Sequence, residues 1–187
     1  MTIGNINFGN NTPGFLAGIP IIVRKRIRDF EKITLKQWEK DTSSLNVIDY
    51  KDILLPQRMT EGSAGYDFFS PMSFTLEPNQ SIKIPTGIRA YMQKNEKLSI
   101  HTRSGNGFKF IRLSNGTGIV DFDFYMNEGN EGHIWVKLSN EGTSNFECKI
   151  EDGFAQGIFE PVLLTDTDSP KGKRIGGLGS TNQIRIS

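Results

Sequence analysis

From residue 53 onward, apolar and polar positions alternate in short runs. In HIWVKLSN, Ile134, Val136 and Leu138 take every second place, with Trp135, Lys137 and Ser139 between them. Successive strand side chains point to opposite faces, so this alternation predicts half-buried β-strands. SIKIPTGIRAYM, EKLSIHT and NFECKIEDG share the texture, and Gly, Pro and Asn break it at close intervals. Many short strands between turn residues predict an all-β sandwich or barrel over residues 51–170. Residues 1–50 differ: MTIGNINFGNNTPG is rich in Asn and Gly and predicts an irregular extension, with one strand at IPIIV. TLKQWEKD predicts a short helix near 34–41, because Thr34 and Gln37 stand at capping-box spacing and Leu35 and Trp38 share a face. At the other end TDTDSPKGK reads as a polar linker, and residues 171–187 form a tail in which Gly176, Gly177 and Gly179 make packed structure entropically costly.

Composition narrows the class. A chain of 187 residues, 36% apolar and 23% charged, predicts one soluble globular domain with a real core. The net charge of +1 supplies no global field toward nucleic acid or a membrane surface, so any anion binding must be local. Cys148 is the one cysteine, which excludes an internal disulfide and the usual zinc clusters and suits a reducing cytoplasm. With His101 and His133 the only histidines, a histidine triad and a multi-histidine metal site are both disfavoured. The apolar stretch GFLAGIPIIV is too short to span a bilayer, and RKRIR follows it, the reverse of a signal peptide. RKRIR reads as a solvated edge or tail rather than a targeting or nucleic-acid patch.

Four segments place Gly, Ser, Arg or Asp at strand ends, where backbone amides and short side chains can reach a ligand. TRSGNG puts Arg103, Ser104 and Gly105 side by side, a composition that cradles phosphate oxygens and equally one that makes a plain glycine turn. In SNGTGIVD the apolar GIV delivers Asp121 to a strand end, where its carboxylate can orient a water as general base or bind turn amides. Gln156 in GFAQGIFEP is polar within an apolar strand and needs a partner. SAGYDFFS supplies Asp67.

Taken in order, AGYDFFS, RSG, NGTGIVDFD, AQGIFEP and RIGGLGSTN resemble the five motifs of the trimeric dUTPase family over residues 53–182. The resemblance implies a distorted jelly-roll β-barrel, assembled as a homotrimer with active sites between subunits. It implies hydrolysis of dUTP to dUMP and pyrophosphate, by attack of an activated water on the α-phosphorus. Asp121 matches the family's water-activating aspartate, Asp67 the first-motif aspartate near the metal-bound phosphates, and Arg103, Ser104 and Gly105 the phosphate-contacting second motif. Asn115 and Gly118 match the hairpin that reads uracil largely through backbone groups, and Gln156 matches a glutamine near the phosphates. Residues 171–187 match a mobile arm that crosses to a neighbouring subunit, and seventeen residues reach at most about 55–60 Å when extended. Within the arm, Lys173 stands at the usual spacing of the γ-phosphate arginine and Arg174 one residue closer, the better candidate because its planar fork binds bidentately; Leu178 takes the place of an aromatic that stacks on uracil, Gly179 follows it, and Ser180 and Thr181 match the phosphate-contacting pair. The implied cofactor is Mg2+, held mainly by the triphosphate and water rather than by a carboxylate cage, which suits an ion that dehydrates reluctantly.

The chain also departs from the family pattern. Phe124 stands where a tyrosine usually packs on deoxyribose and excludes a 2′-hydroxyl, so the ring is kept and the hydroxyl lost. YMNEGNEGHI lengthens the following hairpin, read as an extended surface loop over residues 126–133. The related dCTP deaminases carry a catalytic glutamate on the strand where this chain has Lys137, which disfavours deamination. An alternative role is a regulatory, partner-binding protein on the same scaffold, with the N-terminal extension and long hairpin as contact surfaces.

Overall fold

The computed structural model describes residues 14–16, 19–21, 25–170, 172, 174 and 176. Gly14–Leu16 (β1) and Ile19–Ile21 (β2) pair as an antiparallel hairpin, so the strand expected at IPIIV is present. The alternating runs become Tyr66–Phe69 (β4), Phe74–Leu76 (β5), Ser81–Pro85 (β6), Ile88–Tyr91 (β7) and Glu96–Thr102 (β8). Ile111–Leu113 (β9), Gly118–Asp121 (β10), Trp135–Asn140 (β11), Phe146–Cys148 (β12) and Gly153–Pro161 (β13) complete them. Between β2 and β4 lie Asp29–Lys32 (β3) and the helix Leu35–Thr42 (α1).

All named pairings are antiparallel, in sheets ordered β10-β8-β13-β4, β6-β11-β9, β12-β5 and β3-β7 around a common core, a distorted jelly-roll barrel. The alternation in β11 behaves as expected: Val136 and Leu138 are buried, Lys137 is exposed, and Trp135 and Ser139 are half-buried. Phe68, Leu98, Ile84, Leu138 and Phe154 are almost fully enclosed and fill the space between the sheets. β8 sits between β10 and β13, and Leu98, Ser99 and Ile100 are all buried along it. Among the described residues, no helix is long and apolar enough to cross a membrane.

β3 pairs with β7, and Phe30, Ile33 and Trp38 join the core, so residues 29–42 are built into the barrel. Thr34 caps α1 as its spacing predicts, its hydroxyl accepting from the Gln37 amide at 3.2 Å. The return bond of the capping box is not made by Gln37. Glu131 makes it instead, accepting from the Thr34 amide at 2.9 Å and hydroxyl at 2.7 Å. Leu35 is 49% exposed, contrary to the shared face expected with Trp38; an eight-residue helix has one narrow buried face, which Gln37, Trp38 and Thr42 occupy.

Residues 126–133 also differ from the surface loop expected. Asn127 Oδ1 accepts from the amides of Gly129 and Asn130, Asn130 Oδ1 accepts from Gly132, and His133 is fully buried. The Gly87 amide donates to His133 Nε2 at 2.9 Å, which leaves the proton on Nδ1 to donate to Asp41 Oδ2 at 2.6 Å. Burial holds the His133 pKa below its ordinary value, although Asp41 opposes that shift. The segment is a packed junction between α1 and the barrel because its polar side chains satisfy its own backbone.

Candidate functional site

β10 turns Val120 inward and ends on Asp121, whose register partner is Lys97 on β8. A 3-10 turn, Phe122–Phe124, follows and buries the Phe124 ring to 5% exposure. Asp121 and Phe124 line a cavity of about 610 Å3 together with Asn115, Gly118, Ile100 and Trp135. The hairpin before β10 is closed by the Gly116 amide on Leu113 O at 2.9 Å, with Gly116 at a φ of 72° that favours glycine. A side chain at Gly118 would place its Cβ 3.1 Å from Ile100 Cβ, so glycine lets the two strands stay close beneath the cavity. Arg174 closes the lip: Nη2 donates to Asp121 Oδ2 at 2.5 Å, Nε to Asp123 Oδ1 at 2.8 Å, and the guanidinium carbon lies 5.5 Å from the Phe124 ring centroid.

A second cluster forms where β8 runs out. Arg103 Nη2 pairs with Asp67 Oδ2 at 3.0 Å, and Nη1 donates to Gly153 O at 2.8 Å. Gln156 finds its partner in a backbone group, donating from Nε2 to Thr102 O at 3.1 Å. Gly65 is shaped by that glutamine, since a Cβ there would lie 2.5 Å from Gln156 Oε1. Ser104 and Gly105 are exposed and begin a short helix, Ser104–Phe108 (α2), pinned by Asn106 Nδ2 on Phe154 O at 3.2 Å. Arg103 is thus aimed by its own chain, while its side chain stays 41% exposed and keeps donors beyond those two contacts.

The two clusters sit at opposite ends of one strand. Asp121 pairs with Lys97, Arg103 follows Thr102, and six residues at about 3.3 Å each separate the two positions by about 20 Å. The acid, Asn115, Gly118, Phe124 and Arg174 are brought together; Asp67, Arg103, Ser104, Gly105 and Gln156 are brought together; the two sets are not joined within one chain. Leu178, Gly179, Ser180 and Thr181 lie outside the described residues. Among the described residues, no group of three or more His, Cys, Asp or Glu is placed to hold a metal ion.

Sequence reading missed several groups at the cavity. Asp123 shares Arg174 with Asp121, and only its spacing of two from that residue hinted at this. Lys83 lines the wall beside Trp135 and Lys137, its Nζ 4.2 Å from the indole centroid. Lys83 comes opposite Lys137 through the β6–β11 register, which has no local signature in the chain.

The dUTPase family model matches residues 51–177. The chain is 41% identical over 142 residues to a deoxyuridine 5'-triphosphate nucleotidohydrolase of Lactococcus lactis subsp. lactis (strain IL1403), covering 72% of this chain and 93% of the relative. The Swinepox virus (strain Kasza) relative of the same name is 34% identical over 109 residues, 58% of this chain and 72% of the relative. Among solved structures, the dUTPase from Streptococcus mutans is 34% identical with a TM-score of 0.60, covering 74% of this chain and 98% of that one. A dUTPase mutant from phage phi11 of S. aureus, 16% identical with a TM-score of 0.56 over 79% of this chain and 98% of that one, shares the fold.

Proposed function

Because the chain belongs to the dUTPase family, we propose that it hydrolyses dUTP to dUMP and pyrophosphate. The observation that carries this reading is Asp121 at the lip of a cavity of about 610 Å3, the size of a small-molecule site, beside Asn115, Gly118 and Phe124. The pyrimidine enters against the Asn115–Gly118 hairpin and the sugar packs on Phe124. Asp121 accepts a proton from a water as that water forms a bond to the α-phosphorus, and the bond from that phosphorus to the bridging oxygen breaks to release pyrophosphate. For this, Arg174 must leave the Asp121 carboxylate, and the γ-phosphate is the competing partner for its planar fork. Lys137, a cation on the cavity wall where deamination would need a carboxylate, also supports hydrolysis.

Arg103, Ser104, Gly105 and Gln156 bind the phosphates in this reading. The roughly 20 Å between Arg103 and Asp121 along β8 supports a homotrimer in which one chain's phosphate cluster meets another's Asp121. Residues 171–187 act as an arm, with Leu178 covering the base and Gly179, Ser180 and Thr181 at the phosphates. Mg2+ suits this donor set. Asp67 is the carboxylate beside the phosphate cluster, but it is committed to Arg103, so the ion would be held chiefly by the triphosphate and water. Bound there, it would offset the negative charge of the phosphate oxygens. The reaction is placed in the cytoplasm, with neither nucleic acid nor a membrane as partner.

The test is pyrophosphate release from dUTP, dCTP, dTTP and UTP with Mg2+, comparing the native chain with Asp121→Asn. Release from dUTP alone, reduced about 1,000-fold in the variant, is expected. Release from none of them, or equal rates in both proteins, overturns the reading.

A further inference from the structure

The turn that carries Asp121 and Phe124 leaves the cavity through Tyr125, and the contacts behind Tyr125 come from a distant part of the chain. Its hydroxyl donates to Glu31 Oε2 at 2.7 Å, on β3, 94 residues away. Arg89 Nε donates to the same oxygen at 3.2 Å, and Arg89 Nη1 reaches Glu131 Oε2 at 3.2 Å. Glu131 in turn holds the cap of α1 through Thr34. The Tyr125 ring meets Tyr91 edge-on at 5.9 Å, and Arg26 donates to the Tyr125 hydroxyl at 3.3 Å. The backbone is clamped as well. Asn127 Nδ2 donates to Phe124 O at 2.7 Å, and the Met126 amide donates to Glu131 O at 3.1 Å. Gly132, at a φ of 81°, lies so close that a Cβ would stand 2.8 Å from Phe124 O.

These contacts touch neither the cavity nor the carboxylate of Asp121, yet they fix the chain immediately after both of its working side chains. Arg89 is mostly enclosed, its side chain 14% exposed, and it joins Glu31 and Glu131 in one network. A paired and hydrogen-bonded network of this kind holds a geometry more than it adds stability. Small displacements of a reacting group are costly: about 1 Å can lower a rate about 100-fold.

We propose that Tyr125, Glu31 and Arg89 are positioning residues, which set the Asp121 carboxylate and the Phe124 ring from behind and so govern both turnover and the rejection of ribonucleotides. The proposal rests on the hydrolase reading above. It also gives the β3–α1 segment and the long hairpin a common role, since each holds one side of the same turn.

The experiment measures kcat and KM for dUTP and for UTP in the full chain with Mg2+, for the native protein, Tyr125→Phe, Glu31→Gln and the pair combined. Leu76→Val, a core change on β5, serves as the control for stability alone. The expected result is a kcat for dUTP about tenfold lower with KM little changed, and a preference for dUTP over UTP about tenfold narrower. The double variant should lose less than the two single losses combined, because the two residues share the Tyr125–Glu31 contact while each keeps other partners. Glu31→Gln keeps the reading testable where Tyr125→Phe does not fold. A native protein that does not hydrolyse dUTP overturns the hydrolase reading and this one with it. A native protein that does, with unchanged kcat and preference in folded variants, or with the same changes in Leu76→Val, overturns this proposal alone.

Discussion

The two ends of β8 are built on opposite plans. At the Thr102 end, a cation is fixed in advance: Arg103 is held by the buried carboxylate of Asp67 and by Gly153 O, all within the barrel. At the Lys97 end, the carboxylate of Asp121 is about half exposed, and the cation that meets it, Arg174, comes from 53 residues further along the chain. One end has its charge geometry settled by strand pairing; at the other the partner cation comes from a segment beyond the last strand. Catalytic groups gain from being held rigidly, whereas a group that must admit and release a ligand has to remain displaceable.

The sharpest way to break this contrast is to separate the ends genetically. Asp121→Asn and Arg103→Ala should each lose nearly all dUTP hydrolysis. Unfolding and refolding them together in equal amounts should restore about a quarter of native activity, because about one site in four would then draw an intact Arg103 and an intact Asp121 from different chains. Failure to recover activity in mixed assemblies would mean that one chain supplies both.

Smaller effects come from glycines beside each end. Gly132→Ala meets the backbone at Phe124 O with φ at 81°, and nothing there can move cheaply, so a loss of about 2–3 kcal/mol in urea unfolding is expected. Gly65→Ala meets the Gln156 side chain, most closely its Oε1, and that flexible chain can swing away at the cost of its bond to Thr102 O, so about 1 kcal/mol is expected. Equal losses would mean that the long hairpin does not hold the Phe124 turn more tightly than the barrel holds Gln156.

The smallest expected effect is on pH. His133 is buried with Nε2 already accepting a bond, and its pKa is lowered in the fold. The unfolded chain therefore binds the extra proton first, and stability should be constant above about pH 6.5 and fall as pH drops below it. Thermal melts from pH 8 to pH 5 would show the step, and His133→Gln should lack it. Cys148 provides an internal comparison: burial pushes its thiol up to about 11, so alkylation at pH 8 should be slow until the protein unfolds.

Particular residues show how much could be read in advance. Thr34 announced its helix because a cap is a local contact, three residues long. Asp121 announced its strand end because an apolar GIV before a carboxylate is a local pattern. Gln156 announced a need for a partner but not which one, since Thr102 reaches it only through strand pairing. Glu131, Glu31 and Arg89 carried no signal, because each acts on residues dozens of positions away. Residues 126–133 misled because their polar composition suits a solvated loop until His133 and Asn127 are seen to bond inward.

By itself, then, the sequence determined the strand texture, the helix cap, the ordered motifs and the kinds of side chain available for binding phosphate and activating water. These depend on neighbours within a few residues, where spacing along the chain is also spacing in space. Only the tertiary structure decided that Asp121 and Arg103 lie at opposite ends of one strand, that Arg174 pairs with Asp121 and Asp123, and that β3 and the long hairpin meet behind Tyr125. Those outcomes depend on strand register, and a shift of one residue in register would turn every side chain to the other face.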